Sequence, residues 1–446
     1  MFKISVILAI IHGISSVLSI SCSHSNQCPQ STPCCSQYGE CGVGAFCLGG
    51  CDPISSFSLE SCTPAPVCQD KTHTFDSKLS TIAPNTKYLG DASTADWVSS
   101  GEPVYYNNNV LLTMAPDTVG TLLASTTYMW YGNVKAKFKT SRGPGVITAF
   151  ILLSDVKDEI DYEFVGADLV TAQTNYYSMG ITNYHNSENI TLSNTFSNYH
   201  TYEIDWTPDE ITWKIDGKVG RTKKRVDTWN ATANQWAYPQ TPARVQLSLW
   251  PGGLPTNGKG TIEWAGGLVD WNSTDIKNNN YYYATFESVE MTCYNSNSGP
   301  GTRKGKSYTY SSIQGTNDTV VVGNKDTKLK SFLATGLDPD AGAPSASGTS
   351  SAVSPTKTVN TIPGLSVAGG NPGIDSHNEG SQGGTPASSP SSPSSDSKGS
   401  PSDSNSNSFS QGDSTSAGAE IFNNQDLILR SSVKAVVVAL TAVLFL

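Results

Sequence analysis

Between residues 66 and 310 the chain is written in short runs of alternating apolar and polar positions. Tyr202, Ile204 and Trp206 alternate with polar residues, as do Ile211, Trp213 and Ile215, and Val245, Leu247 and Leu249. A period of two predicts half-buried antiparallel strands, each with one face on a core. Thr207-Pro208-Asp209, Asp216-Gly217 and Pro251-Gly252-Gly253 supply turns between them. Val146 to Leu153 is an apolar run broken only by Thr148, the pattern of a buried strand. No long amphipathic helical stripe interrupts this region. So many short strands with these turns predict an all-β fold, a jelly-roll β-sandwich. After residue 310 the pattern fades, and from about 335 to 420 Ser, Thr, Pro, Gly and Asn dominate, as in Ser388-Ser389-Pro390-Ser391-Ser392-Pro393. Such sequence cannot bury enough apolar surface to offset its conformational entropy. Residues 311–418 are therefore expected to form a low-complexity, O-glycosylated stalk.

Both ends carry apolar segments too short to span a membrane. Lys3 followed by the apolar stretch Ile4 to Ile11, with Ser16, Ser19 and Ser21 beyond it, predicts a secretory signal over residues 1–20. Ala435 to Leu446 is an apolar tail of twelve residues, against the roughly 20 that a span needs. A polar spacer and the small triplet Ser416-Ala417-Gly418 precede it. That order predicts a glycosylphosphatidylinositol signal, with Gly418 as attachment residue and 419–446 removed. Asn423 and Asn424 are alternative sites, and a simple tail anchor is the plainer alternative. The expected destination is the outer face of the plasma membrane or the cell wall.

Charge and cysteine sharpen that picture. With 28 Lys and Arg against 38 Asp and Glu, the net charge of −10 excludes a nucleic-acid partner, which needs a basic face. Nine of the ten Cys fall between Cys22 and Cys68, a density that predicts disulfides and an oxidising compartment. Asn189, Asn230, Asn272 and Asn317 head Asn-x-Ser/Thr triplets, acceptors for N-glycans in an exported chain. The six His are scattered, so no metal and no cofactor is expected. No phosphate-binding glycine loop and no Ser-His-Asp pattern stands out.

The chemistry is expected in Asp158-Glu159-Ile160-Asp161-Tyr162-Glu163-Phe164. On a strand, Glu159, Asp161 and Glu163 share one face while Ile160, Tyr162 and Phe164 pack behind them. Three like charges in a row are costly, so at least one should hold a proton or a close hydrogen bond. A retaining glycosidase needs one ionised and one protonated carboxyl about 5 Å apart. Since i to i+4 on a flat strand is about 13 Å, the two Glu must converge through sheet curvature or a bulge. The plainer readings are a charged edge strand and a Ca²⁺ site. Gln246, Ser248 and Trp250 lie opposite Val245, Leu247 and Leu249 in parity, and a polar-and-Trp face beside carboxylates suits a sugar cleft.

The run DEIDYEF resembles the signature of glycoside hydrolase family 16. HTYEIDW (200–206), ITWKIDG (211–217), PQTPARVQLSLWPGG (239–253) and KGTIEWAGGLVDW (259–271) are similar to stretches of the fungal Crh-type cell-wall transglycosylases. The likeness covers about residues 68 to 310. It implies a jelly roll with its active site on a concave sheet, chitin as donor and β-glucan or chitin as acceptor. By position it makes Glu159 the nucleophile, Glu163 the acid/base and Asp161 the group that tunes the nucleophile. Gln246, Trp250 and Thr261 would contact the donor, as would Glu163, whereas Tyr162 and Trp264 take the inward parity and are expected to pack.

Residues 21–63 form a second resemblance. Cys34-Cys35-Ser36-Gln37-Tyr38-Gly39-Glu40-Cys41-Gly42 is similar to hevein-type chitin-binding modules, carbohydrate-binding module family 18. The family's pattern implies Cys22–Cys35, Cys28–Cys41, Cys34–Cys47 and Cys51–Cys62, leaving Cys68 and Cys293 to close the catalytic domain. It also implies that Ser36, Tyr38 and Phe46 grip N-acetylglucosamine. Glu40 replaces the remaining aromatic, which predicts weak binding or a spacer role. An anchored monomeric transglycosylase is the leading expectation. An endo-acting hydrolase on the same scaffold and a non-catalytic wall lectin are its alternatives.

Overall fold

The computed structural model describes residues 20–343. The expected signal segment before residue 20, the sequence beyond 343 and the anchor signal with Gly418 lie outside the described residues. Two eight-stranded sheets stack face to face. One runs in the order Glu188–Thr191, Thr171–Tyr177, Glu159–Val165, Val146–Ser154, Ala243–Pro251, Thr121–Met129, Trp97–Ser100, Ile82–Pro84. The other is centred on Gly132–Lys139, flanked by His200–Trp206 and Tyr282–Cys293.

The alternation read from the sequence places the core. Tyr202, Ile204, Trp206, Ile211, Trp213, Val245, Leu247 and Leu249 are all fully buried between the sheets. Phe138 and Phe164 meet Tyr202 at 4.4 and 4.7 Å between ring centroids. Tyr162 joins them, as its parity predicts, and its hydroxyl donates to the Lys214 carbonyl at 3.0 Å. The Val146–Ser154 strand is buried at every position because its two faces serve different clusters. Phe150 and Leu152 enter the main core, while Ala149, Ile151 and Leu153 pack together on the other side.

All five disulfides have the pairing that the resemblances imply, Cys68–Cys293 joining the two ends of the sandwich. The Cys-rich module does not stand apart. Phe46 and Leu48 pack with Tyr88, Ala95, Leu329 and Ala334. The Gly44 amide donates to the Ala334 carbonyl at 2.9 Å, and the Gly336 amide to the Ser61 carbonyl at 2.8 Å.

Those contacts correct the expected start of the stalk. Residues 311–343 are folded: Val320–Gly323 pairs with Ser307–Tyr310, which pairs with Ala65–Pro66. Beyond it Leu329 and Ala334 strap the module to the sandwich. A few apolar side chains suffice to order a polar segment when a ready-made surface receives them, and averaged composition hides them.

Candidate active site

The Glu159–Val165 strand is third in its sheet, with neighbours on both sides, which removes the reading of a charged edge strand. Its register with Val146–Ser154 is unbroken from Glu159↔Leu153 to Val165↔Ile147. No bulge shortens it, so any approach of Glu159 to Glu163 has to come from the twist and curvature of the sheet. Glu159, Asp161 and Glu163 face Tyr177, Asn175 and Gln173 on one side. On the other side they face Leu153, Ile151 and Ala149, beyond which come Arg244, Gln246 and Ser248. Directly opposite residues share a face. The open side of the sheet is thus a narrow apolar floor between a carboxylate row and a row of Arg, amide and hydroxyl groups.

Depth separates the three acids. Glu159 and Asp161 are each 1% exposed, whereas Glu163 is half-buried. Burial pushes Asp161 up to about 7, against the pull of the Arg221 guanidinium and the Asn175 amide. Loss of solvent thus favours the protonated form of the central acid in a row where three adjacent charges would be costly. Burial, then Asp161, Glu159 and Glu163, also push the Tyr177 hydroxyl up, so it stays a neutral phenol beside them; it accepts from Asn175 Nδ2 at 2.8 Å. Asp158 serves the fold. Its carboxylate accepts from the amides of Met179, Gln240 and Thr241 at 2.9 to 3.0 Å and from Thr241 Oγ1 at 2.7 Å. These bonds pin the entry to the Ala243–Pro251 strand against the carboxylate strand.

The model of glycosyl hydrolases family 16 matches residues 91–266. Crh-like protein 3 of Botryotinia fuckeliana (strain B05.10) is 70% identical over 328 residues, 74% of each chain. Crh-like protein 2 of Aspergillus fumigatus is 53% identical over 358 residues, 80% of this chain and 81% of that one. The chain belongs to glycosyl hydrolases family 16, among its Crh-like members. A solved structure, Crh5 transglycosylase in complex with NAG, is 32% identical and covers 61% of this chain and 99% of that one, with a TM-score of 0.49.

In this Crh-like enzyme the remaining expected contacts fall in three places. Gln246 is 1% exposed on the cleft face, and its Nε2 donates to Gln37 Oε1 at 3.2 Å. Trp250 is on that face too, as parity predicts, yet it is covered. Its ring stacks on Trp264 at 6.0 Å and packs with Ile147, Val165 and Ala265. The cover is a short helix, Lys259–Trp264, which also carries the half-buried Thr261. Trp264 is thus no inward strand residue; it packs on the cleft side, and its Nε1 donates to Gln173 Oε1 at 2.8 Å. Period-two parity has no meaning on a helix, which is why the inward direction fails although the expected packing is met.

Two of the module's three expected sugar-gripping residues are buried, and Tyr38 is half-buried. Ser36 is 2% and Phe46 1% exposed. Ser36 Oγ accepts from the amides of Tyr38 and Glu40 at 3.3 and 3.4 Å, and burial pushes Tyr38 up to about 12. Phe46, one of the three, packs into the Tyr88, Ala95 and Leu329 cluster, while Ser36 is occupied within its own turn.

Sequence reasoning passed over Arg244, Asn175, Tyr177 and Gln37. Arg244 shares the parity of Gln246 and was legible in principle. Asn175 and Tyr177 alternate in Thr171–Tyr177, but nothing local says that this strand lies beside the carboxylates. Gln37 reaches the cleft from more than two hundred residues away in sequence, and no local signal announces it.

Proposed function

We propose that the enzyme is a retaining transglycosylase that cleaves chitin and transfers the cut chain to β-glucan or chitin acceptors in the cell wall. The observation that carries this reading is the graded row of acids, with Glu159 and Asp161 at the bottom of the cleft and Glu163 at its lip. Glu163 protonates the leaving glycosidic oxygen while a Glu159 oxygen attacks the anomeric carbon. The bond to the leaving sugar breaks and a glycosyl ester forms on Glu159. Glu163, now a carboxylate, takes the proton from an acceptor hydroxyl, whose oxygen attacks the same carbon and releases Glu159. Asp161, holding a proton beside Glu159, keeps a second negative charge from building up there. A deep nucleophile favours a sugar acceptor over water, because a sugar brings its own binding energy to the dry site. The buried Gln246 Oε1 and Ser248 Oγ, without partners among the described residues, are atoms that glycan hydroxyls or acetamido groups would satisfy. Thr261 and the Trp264-backed Trp250 supply the wall at the other end.

We further read the chain as an exported monomer, held by a glycosylphosphatidylinositol lipid at Gly418 on the outer membrane face or passed to the wall. The signal-like start and the small-residue triplet before an apolar tail support this. The mechanism is tested by incubating the enzyme with a chitin oligosaccharide donor and a fluorescent laminarin oligosaccharide acceptor, with products read by mass spectrometry. A hybrid product is expected. Glu159→Gln and Glu163→Gln should each lower its rate about a thousandfold or more. Shortened donor without hybrid would make the enzyme a hydrolase, and untouched sugars would return it to a lectin.

A further inference from the structure

Gln37 sits in the Cys-rich module, yet its Oε1 accepts from Arg244 Nη2 at 2.9 Å and from Gln246 Nε2 at 3.2 Å. The pairing fixes two amide orientations without ambiguity. A guanidinium has only donors, so Gln37 must turn its oxygen toward Arg244. Gln246 then meets an oxygen and must offer its nitrogen. Its own Oε1 is left pointing away, buried and with no partner among the described residues. Gln246 lies across from Ile151, and Ile151 across from Asp161, about 10 Å from the carboxylate strand at two strand spacings. Farther out on the same face come Ala124 and then Val98. The module roofs that stretch, leaving a crevice lined by Gln37, Tyr38, Val98, Ser100, Ala124 and Arg244.

We infer that Gln37 is a specificity-determining residue of the glycan cleft, and that the docked module is the fixed roof of the cleft arm on the Gln246 side. Through Arg244 and Gln246 it presents a single buried acceptor oxygen to a sugar next to the reacting one. That oxygen takes a donor, a hydroxyl or an acetamido N–H. The inference rests on the proposed glycan chemistry of the cleft but not on transfer itself. Backbone bonds hold the roof independently of Gln37. The Gly50 amide donates to Tyr128 Oη at 2.9 Å and to Asp155 Oδ1 at 3.0 Å, and the Tyr128 hydroxyl donates to Asp155 at 2.7 Å. Gln37 can therefore change while the module stays docked.

The experiment uses the full secreted chain carrying Glu163→Gln, so that sugars bind without turnover. Affinity for a ladder of N-acetylglucosamine oligomers is measured by calorimetry, with thermal unfolding alongside. Adding Gln37→Leu should weaken the longer oligomers about fivefold, the scale of one neutral hydrogen bond, and leave the shortest unchanged. Gln37→Glu keeps the acceptor oxygen and should stay within about twofold of the parent. In the otherwise unmutated enzyme Gln37→Leu should raise KM and spare kcat. Unchanged affinity in a folded Gln37→Leu, or equal losses in Gln37→Leu and Gln37→Glu, overturns the inference, as does a parent that binds no oligomer. If the unmutated enzyme transfers nothing while the Gln37→Leu loss appears, the transfer reading fails and this one stands.

Discussion

The Cys-rich module and the jelly roll both carry residues of sugar-binding type on a β scaffold, yet in opposite states of access. In the jelly roll Glu163 and Thr261 are left half-open above a buried floor. In the module Ser36 and Phe46 are closed off almost completely, and only Tyr38 stays half-buried. The two regions are also stabilised differently. The sandwich has a core large enough to position its acids without help. The module's own apolar cluster is little more than Cys22, Cys28, Cys35 and Cys41, and four disulfides hold it. A fold that cannot bury its aromatics internally gains most by burying them on a neighbour. The difference teaches that a binding motif becomes a packing surface when its host is too small to stand alone.

The largest expected effect tests that statement directly. Phe46→Ala should lower the enzyme's stability by about 3 kcal/mol, the range for emptying a buried aromatic site. A solvent-facing sugar ligand would change it by less than about 0.5 kcal/mol. Denaturant unfolding of the secreted chain gives the number, and limited proteolysis between the module and the sandwich reports undocking. A neutral Phe46→Ala with reduced retention on chitin beads would break the comparison and restore the module as a lectin.

A smaller effect is expected on the jelly-roll side, where burial acts on charge. Asp161 is raised from 3.8 to about 7, so the folded state binds its proton more tightly than the unfolded chain does. That contribution is fully present below pH 4 and is lost as pH rises through about 7. Asp155, at the junction with the module, is raised to about 6 and acts in the same direction over a lower window. The melting temperature should therefore fall from pH 4 to 7. In Asp161→Asn the fall should shrink and finish near pH 6. Activity should show the same group: the decline between pH 6 and 8 disappears in Asp161→Asn, with a loss of about tenfold at most at pH 5. A variant with the parent's pH profile would move the proton to another group.

Much of this was legible because it is local. Alternation gave the strands and their inward faces at Tyr202, Ile204 and Trp206, and the carboxylate row followed from parity alone. Trp250 shows where parity stops: it names the face and says nothing of the helix laid over it. The fate of Phe46 depends on Tyr88, Ala95 and Leu329, which no window of sequence joins to it. The Gln37 pairing with Arg244 and Gln246 is of the same kind, a consequence of docking and not of pattern. Residues 320–334 escaped for a related reason, since Val320, Leu329 and Ala334 are too few to register in composition but enough to be held once a surface exists.

The smallest expected effect concerns glycans, and it sets the two regions apart once more. Every Asn-x-Ser/Thr triplet lies after the module, and three are open: Asn189, Asn230 and Asn272 are exposed. Asn189 sits on the edge strand, opposite Gln173 and so in line with Glu163. A glycan there covers an unpaired edge at the end of the cleft. Asn317 differs, because it is half-buried and hydrogen-bonds Tyr131. The hydroxyl of its triplet, on the buried Thr319, donates to the Thr316 carbonyl at 2.7 Å. Glycosidase release with mass spectrometry should find Asn189, Asn230 and Asn272 modified and Asn317 bare. Each of the three Asn→Gln changes should remove one glycan's mass, and Asn317→Gln none. A glycan at Asn317 would mean that the strap through Val320–Gly323 closes only after modification. The module, which Leu329 and Ala334 just beyond that strap hold, would then dock only after that modification.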